Sequence, residues 1–185
     1  MSSSQLHGFL LVDGYNIIGS WTNLKRSRDR DGLETARRDL IEALTNYSVL
    51  EGFKTEIVFD AHYQKTPGYR EPQTPNLSVY YTNFAQTADT YIEKVCASLY
   101  RQLNRPISRF IVATSDRAQQ LTVMGYGAEW LSAQELAKAV ESTARAAQRK
   151  TRPQKKPRGR FLFDSLDAKS QQRLAELRLG TRKKT

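Results

Sequence analysis

FLLVD (Phe9–Asp13) is a nearly continuous apolar run that ends on an acid, with Gly14, Tyr15 and Asn16 directly behind it. A run this short and this apolar suits a strand covered on both faces, as in a parallel sheet between two helix layers. The same shape recurs along the chain in TEIVFD (Thr55–Asp60), LSVYYT (Leu77–Thr82) and RFIVATS (Arg109–Ser115), with Ala128–Leu131 as a fifth, shorter strand. Between the strands the apolar period changes to that of a helix. Leu33, Ala36, Leu40, Leu44 and Tyr47 share one face of a helix over 33–50, with Ile41 alongside and Gly52 as its stop. Ile92, Val95, Leu99 and Leu103 do the same over 88–103. Residues 116–124 read as a short helix ended by Gly125 and Gly127, and Ser132 with Glu135 forms a capping box that opens another helix. Strands spaced by helices predict an α/β fold with a doubly wound parallel sheet flanked by helices.

The chain has 185 residues, 39% of them apolar and 10% aromatic, enough for one packed core. Its one cysteine, Cys96, excludes an intrachain disulfide framework and a Cys-rich zinc site, and argues against a disulfide-linked partner. No apolar run approaches a membrane span, and the first residues lack a signal-peptide core. The expected setting is the cytoplasm, with no membrane partner.

The net charge of +10 is unevenly spread. Residues 1–144 carry 15 Lys and Arg against 16 Asp and Glu, whereas residues 145–185 carry 14 against 3. QRKTRPQKKPRGR (148–160) has no acid and reads as an extended, solvated basic linker. A weak helix over 166–179, anchored by Leu174 and Leu177, follows it. The expected organisation is a body over 1–147 and a basic C-terminal extension over 148–185. One-signed charge of this kind points to a polyanion, nucleic acid first, although a solubilising tail is the plainer alternative.

Ligands of open parallel sheets bind outside the carboxyl ends of the strands. Asp13 follows the first strand, Asp60 the second and Asp116 the fourth. Asp89 opens the helix after the third, and Glu93 lies one turn on, on the same helix face. Each acid alone has an ordinary explanation: a helix cap for Asp116, a turn at Asp13, a helix N-terminus for Asp89. Together, carboxylates at one sheet edge repel one another unless a cation sits among them. Oxygen-only ligands suit a hard divalent ion, Mg²⁺ or Mn²⁺. The chain lacks both GxxxxGK[ST] and GxGxxG loops, so the remaining chemistry is metal-assisted attack of water on a phosphodiester.

VDGYNII (12–18), VFDA (58–61), TADTYIEK (87–94) and VATSDRAQQ (112–120) together resemble the NYN domain of the PIN-like nuclease superfamily, in its YacP-like branch. The resemblance covers residues 9–147 in order and spacing, and extends to RFLFDSLDAKSQQRLAELRLG (160–180). It implies a PIN-like fold and a metal-dependent endoribonuclease. It places Asp13, Asp89 and Asp116 at the metal, gives Asn16 a part in orienting a ligand or the scissile phosphate, and makes Asp60 an added or outer acid. Glu93 is a weaker member, and Thr114 and Ser115 would bind phosphate or position Asp116. Translation-linked mRNA, with the ribosome as a further partner, is the substrate setting it suggests.

GSWTNLKRSRDRDG (19–32) and AHYQKTPGYREPQTPN (61–76) read as loops beside the same edge. They bring Trp21, Lys25, Arg26, Arg28 and Arg30, then Tyr63, Lys65, Tyr69 and Arg70. Cations interleaved with rings suit single-stranded RNA. Ordinary polar loops, with Trp21 or Tyr69 folded onto the body, are the alternative. Arg152, Lys155, Lys156, Arg158 and Arg160 would add attraction through counterion release. Two other functions remain open at this level: a non-catalytic RNA- or ribonucleoprotein-binding module, and hydrolysis of a small phosphate ester.

Overall fold

The computed structural model describes residues 7–60, 67–101, 109–151 and the single residue 170. Its elements run β1 (Gly8–Asp13), α1 (Gly14–Ser20), α2 (Thr22–Asp31), α3 (Leu33–Glu51), β2 (Phe53–Phe59), β3 (Tyr69–Pro72) and β4 (Leu77–Tyr81). They continue with α4 (Ala88–Arg101), β5 (Phe110–Ala113), α5 (Arg117–Gly125), β6 (Glu129–Leu131) and α6 (Ala133–Thr151).

The apolar run around Phe9–Asp13 lies at the centre of a six-stranded sheet ordered β3-β4-β2-β1-β5-β6. β1 is parallel to β2 on one side and to β5 on the other. Its side chains alternate between two cores. Leu10 and Val12 join Ile17, Leu24, Leu40, Leu44 and Leu136, and so face the α1–α3 and α6 layer. Leu11 joins Val58, Ile92, Cys96, Val112 and Val123, beneath α4 and α5. A strand buried on both faces has no polar side to show, which is why its sequence is a run rather than an alternation.

The helix expected over 33–50 buries Ala36, Leu40, Leu44 and Tyr47, and Gly52 caps it in the left-handed region at φ 69°. Ser132 and Glu135 exchange the bonds of the expected capping box, Glu135 N–H to Ser132 Oγ at 3.2 Å and Ser132 N–H to Glu135 Oε2 at 2.9 Å. Cys96 is buried in packing, and burial pushes its thiol up to about 12.

Two expectations are corrected. The sheet has a sixth strand, β3, antiparallel to β4 at the edge. All four of its residues are exposed and one is Pro72, so no apolar alternation marks it, and an edge is where a strand tolerates proline. The stretch over 19–32, read as a loop, is instead the end of α1, all of α2 and a glycine turn. α2 buries only Leu24, so it lacks the apolar stripe that announces a helix.

The chain divides into two compact units, Met1–Ala147 and Gln148–Thr185. Of the second, only 148–151 and Ser170 are described, so the basic linker and the helix expected over 166–179 lie outside the described residues. Among the described residues, no helix is long and apolar enough to cross a membrane.

Candidate active site

The strand order fixes where a ligand can sit. From β1 the chain moves outward to β2 and β4, then crosses back through α4 to β5 on the other side of β1. The order therefore reverses at β1, and the crevice outside the carboxyl ends of β1 and β5 is the expected binding position. Asp13 ends β1, residues 114–116 follow β5, Asp60 follows β2, and Asp89 stands in the first turn of α4.

Short-range bonds hold these groups in place. Asp13 is the N-cap of α1 and accepts from Asn16 N–H at 3.1 Å. Gly14 is required beside it, because a Cβ there would collide with the Phe59 ring. Asn16 Oδ1 accepts the Ser115 N–H at 2.7 Å, tying the turn after β1 to the turn after β5. Asp116 caps α5 by accepting from Ala118 N–H at 2.7 Å and Gln119 N–H at 3.0 Å. Its own N–H donates to the Thr114 hydroxyl at 3.1 Å. Asp60 accepts from Ala88 N–H and so caps the helix that carries Asp89. Gln119 Nε2 donates to Asp89 Oδ1 at 2.5 Å. Asp89, Glu93, Asp116, Ala118, Gln119, Thr122 and Val123 line an open pocket.

The electrostatics are one-sided. Asp13 is 8% exposed, and burial pushes its carboxyl up to about 6. Repulsion from Asp89, Asp60 and Asp116 adds to that shift, against the lowering effect of the Asn16 N–H. Asp89 is raised by burial, then by Asp116 and Asp60, while the Gln119 amide pulls it back. Among the described residues, no cation pairs with Asp13, Asp60, Asp89 or Asp116. Among them, too, no three acids, histidines or cysteines close on one point as a ready chelate. All-oxygen donors spaced around an open pocket suit Mg²⁺ or Mn²⁺, since Mg²⁺ keeps several waters and takes only one or two carboxylates directly. The donor set fits such an ion.

The other sequence-predicted residues fall into distinct places. Glu93 lines the pocket, and Tyr126 OH lies 3.4 Å from its Oε1. Thr114 is buried, and Ser115 Oγ accepts from Ala133 N–H at 3.0 Å, so both hold the turn. Trp21 is corrected from a base-stacking surface to a core residue: it is 6% exposed, and its indole N–H donates to the Ala133 carbonyl at 2.7 Å. Lys25 and Arg26 are exposed on α2, and Arg28 pairs with Asp29 at 2.8 Å. Tyr69 is exposed and stacked on Tyr81 at 4.8 Å. Arg70 is committed to Glu56 at 2.7 Å and to Tyr91 OH at 3.1 Å. Tyr63, Lys65, Arg152, Lys155, Lys156, Arg158 and Arg160 lie outside the described residues. Sequence reasoning missed Gln119. Its signal was present in the spacing, since a residue three after the cap Asp116 stands over the same helix end.

A family model described as the YacP-like NYN domain matches residues 10–179. The chain is 39% identical over 155 residues to the YacP protein of Bacillus subtilis (strain 168), covering 82% of this chain and 87% of that protein. Its structure is similar to the crystal structure of Rae1 (YacP) from Bacillus subtilis, with a TM-score of 0.63 and 34% identity over 93% of this chain and 95% of that one. A mutant of the same protein gives a TM-score of 0.61 at 37% identity, over 77% and 80%.

Proposed function

The chain belongs to the YacP-like NYN domain family, and from that premise we propose that it is a metal-dependent endoribonuclease hydrolysing internal phosphodiester bonds of RNA. Family membership supports a nuclease-like, RNA-related function. One observation carries the finer reading: Asp13 is buried and repelled by Asp89, Asp60 and Asp116, with one backbone N–H and, among the described residues, no paired cation to offset that.

Asp13, Asp89 and Asp116 would hold Mg²⁺ or Mn²⁺, with Asp60 fixing the helix that presents Asp89. A bound ion of this kind supplies a more acidic water and positive charge against the phosphoryl oxygens. Asn16 holds the turn bearing Asp116 against the turn bearing Asp13, and Thr114 fixes the backbone of Asp116. Lys25 and Arg26, exposed on α2, provide countercharge for the RNA backbone, and Tyr69 provides an exposed ring at the sheet edge. Lys65 and the basic residues Arg152, Lys155, Lys156, Arg158 and Arg160 add to that attraction. The favoured substrate is single-stranded mRNA, with the ribosome as the partner that presents it.

The test is cleavage of end-labelled RNA, free and on translating ribosomes, in Mn²⁺, Mg²⁺ or EDTA, beside Asp13→Asn and Asp116→Asn. Internal cuts are expected that need the ion and fall by at least roughly 10²-fold in both variants, with RNA binding kept. Intact RNA in every condition would overturn the reading in favour of a binding module. Replacing Arg152, Lys155, Lys156, Arg158 and Arg160 by Gln should leave hydrolysis of bound RNA intact. It should also weaken RNA binding and flatten its salt dependence by about 0.7 in log–log slope for each phosphate no longer neutralised. An unchanged slope would remove the basic segment from the account.

A further inference from the structure

Gln119 is 7% exposed, stands in the first turn of α5, and lines the acidic pocket, with its amide bonded to the pocket residue Asp89. The amide's orientation is determined by its neighbour: Nε2 donates to Asp89 Oδ1 at 2.5 Å, and reversing it would set oxygen against oxygen. That leaves Oε1 buried with no hydrogen-bond partner. Buried acceptors in folded proteins are nearly always satisfied.

Among the described residues, nothing in the pocket wall satisfies this one. Asp89, Glu93 and Asp116 are acceptors when ionised, Ala118 and Val123 bring only apolar side chains, and the Thr122 hydroxyl donates to the Ala118 carbonyl at 3.1 Å. An oxygen acceptor with no donor, in a wall of carboxylates with no cation, calls for a positively polarised guest.

We propose that Gln119 is a neutral member of the cation site. Its Nε2 positions Asp89, and a small turn of the amide brings its buried Oε1 to the water shell of the divalent ion held by the surrounding carboxylates. The proposal rests on the metal-dependent reading above and deepens it, adding a residue whose contribution is not charge. A neutral oxygen strengthens the hold on the ion without adding to the repulsion that already raises Asp13 and Asp89.

The test is Mn²⁺ binding by calorimetry, with thermal melts in the presence and absence of Mn²⁺, on the full chain at pH 7.5. Gln119→Met keeps the volume and removes both polar ends. It is expected to melt, metal-free, at or above the wild-type temperature, because an orphan acceptor has been removed. Its Mn²⁺ dissociation constant should weaken about tenfold or more, as for outer partners of metal ligands generally. Thr122→Ala, on the same wall, should bind Mn²⁺ like the wild type. Gln119→Glu keeps an oxygen acceptor at the same place, so at pH 7.5 its Mn²⁺ affinity should stay at or above the wild-type value. That variant serves if the Met variant does not fold.

Equal Mn²⁺ affinity in wild type and Gln119→Met, or a loss of Mn²⁺ affinity in Gln119→Glu, would overturn this inference and leave the metal site standing. Failure of the wild type to bind Mn²⁺ would overturn both, and would be recognised by Asp116→Asn making no difference.

Discussion

Asp13 and Glu56 are two carboxylates buried to nearly the same degree on adjacent central strands, 8% and 4% exposed. Glu56 is surrounded by donors. Arg70 Nη2 lies 2.7 Å from Oε2, Tyr91 OH donates to Oε1 at 2.6 Å, and the Ser78 hydroxyl lies 3.4 Å from Oε2. Asp13 has a single backbone N–H and three carboxylates for company. A protein that can complete one buried carboxylate with an arginine and a tyrosine has left the other incomplete, at the carboxyl ends of the strands, where open parallel sheets take their ligands. In the proposed metal site a bound cation would complete Asp13, as Arg70 and Tyr91 complete Glu56.

The contrast is sharpest in stability, where the two residues should act with opposite signs. A folded-state carboxyl at about 6 binds protons more readily than the unfolded chain does at 3.8. Its penalty is therefore absent below about pH 4, grows as pH rises, and is complete above about pH 6. Asp13→Asn should raise metal-free stability at pH 7.5 by as much as about 3 kcal/mol, and hardly at all at pH 4. Chemical denaturation at the two pH values, in EDTA, measures it. Glu56→Gln removes a carboxylate that the fold has completed and should lower stability at pH 7.5 by about 1–2 kcal/mol, Arg70 being exposed enough to rehydrate. Two changes of the same sign would break the comparison.

The central strands and their terminal acids were legible because each consists of a continuous run: Leu10 to Val12, Ile57 to Phe59, Ile111 to Ala113. Burial on both faces writes itself into composition, and the acids stand out because they end such runs. Elements held by little apolar packing were not legible. β3 buries no residue, and α2 is anchored by Leu24 beside Trp21, whose surroundings come from Ala133, 112 positions away. The ring of Trp21 looks like an RNA platform in a basic stretch, and only tertiary packing turns it inward.

Within the site, the types and order of the acids could be read, but not their partners. The bond from Asn16 to Ser115 spans 99 residues. The orphaned oxygen of Gln119 exists only because Asp89, from another helix, takes the other end of the amide. Arg70, whose residue type suggested RNA, is occupied by a strand-to-strand pairing that no local pattern reveals.

In the proposed site Asp13 is a strained carboxylate that a divalent cation would relieve. Carbon-13 NMR of its side-chain carboxyl, titrated across pH 3–8 in EDTA and again in saturating Mg²⁺, measures that directly. The predicted result is a midpoint at about 6 without the ion and a fall below the ordinary carboxylate value of 3.8 with it. A midpoint near 3.8 in EDTA, or one that Mg²⁺ leaves in place, would contradict the account.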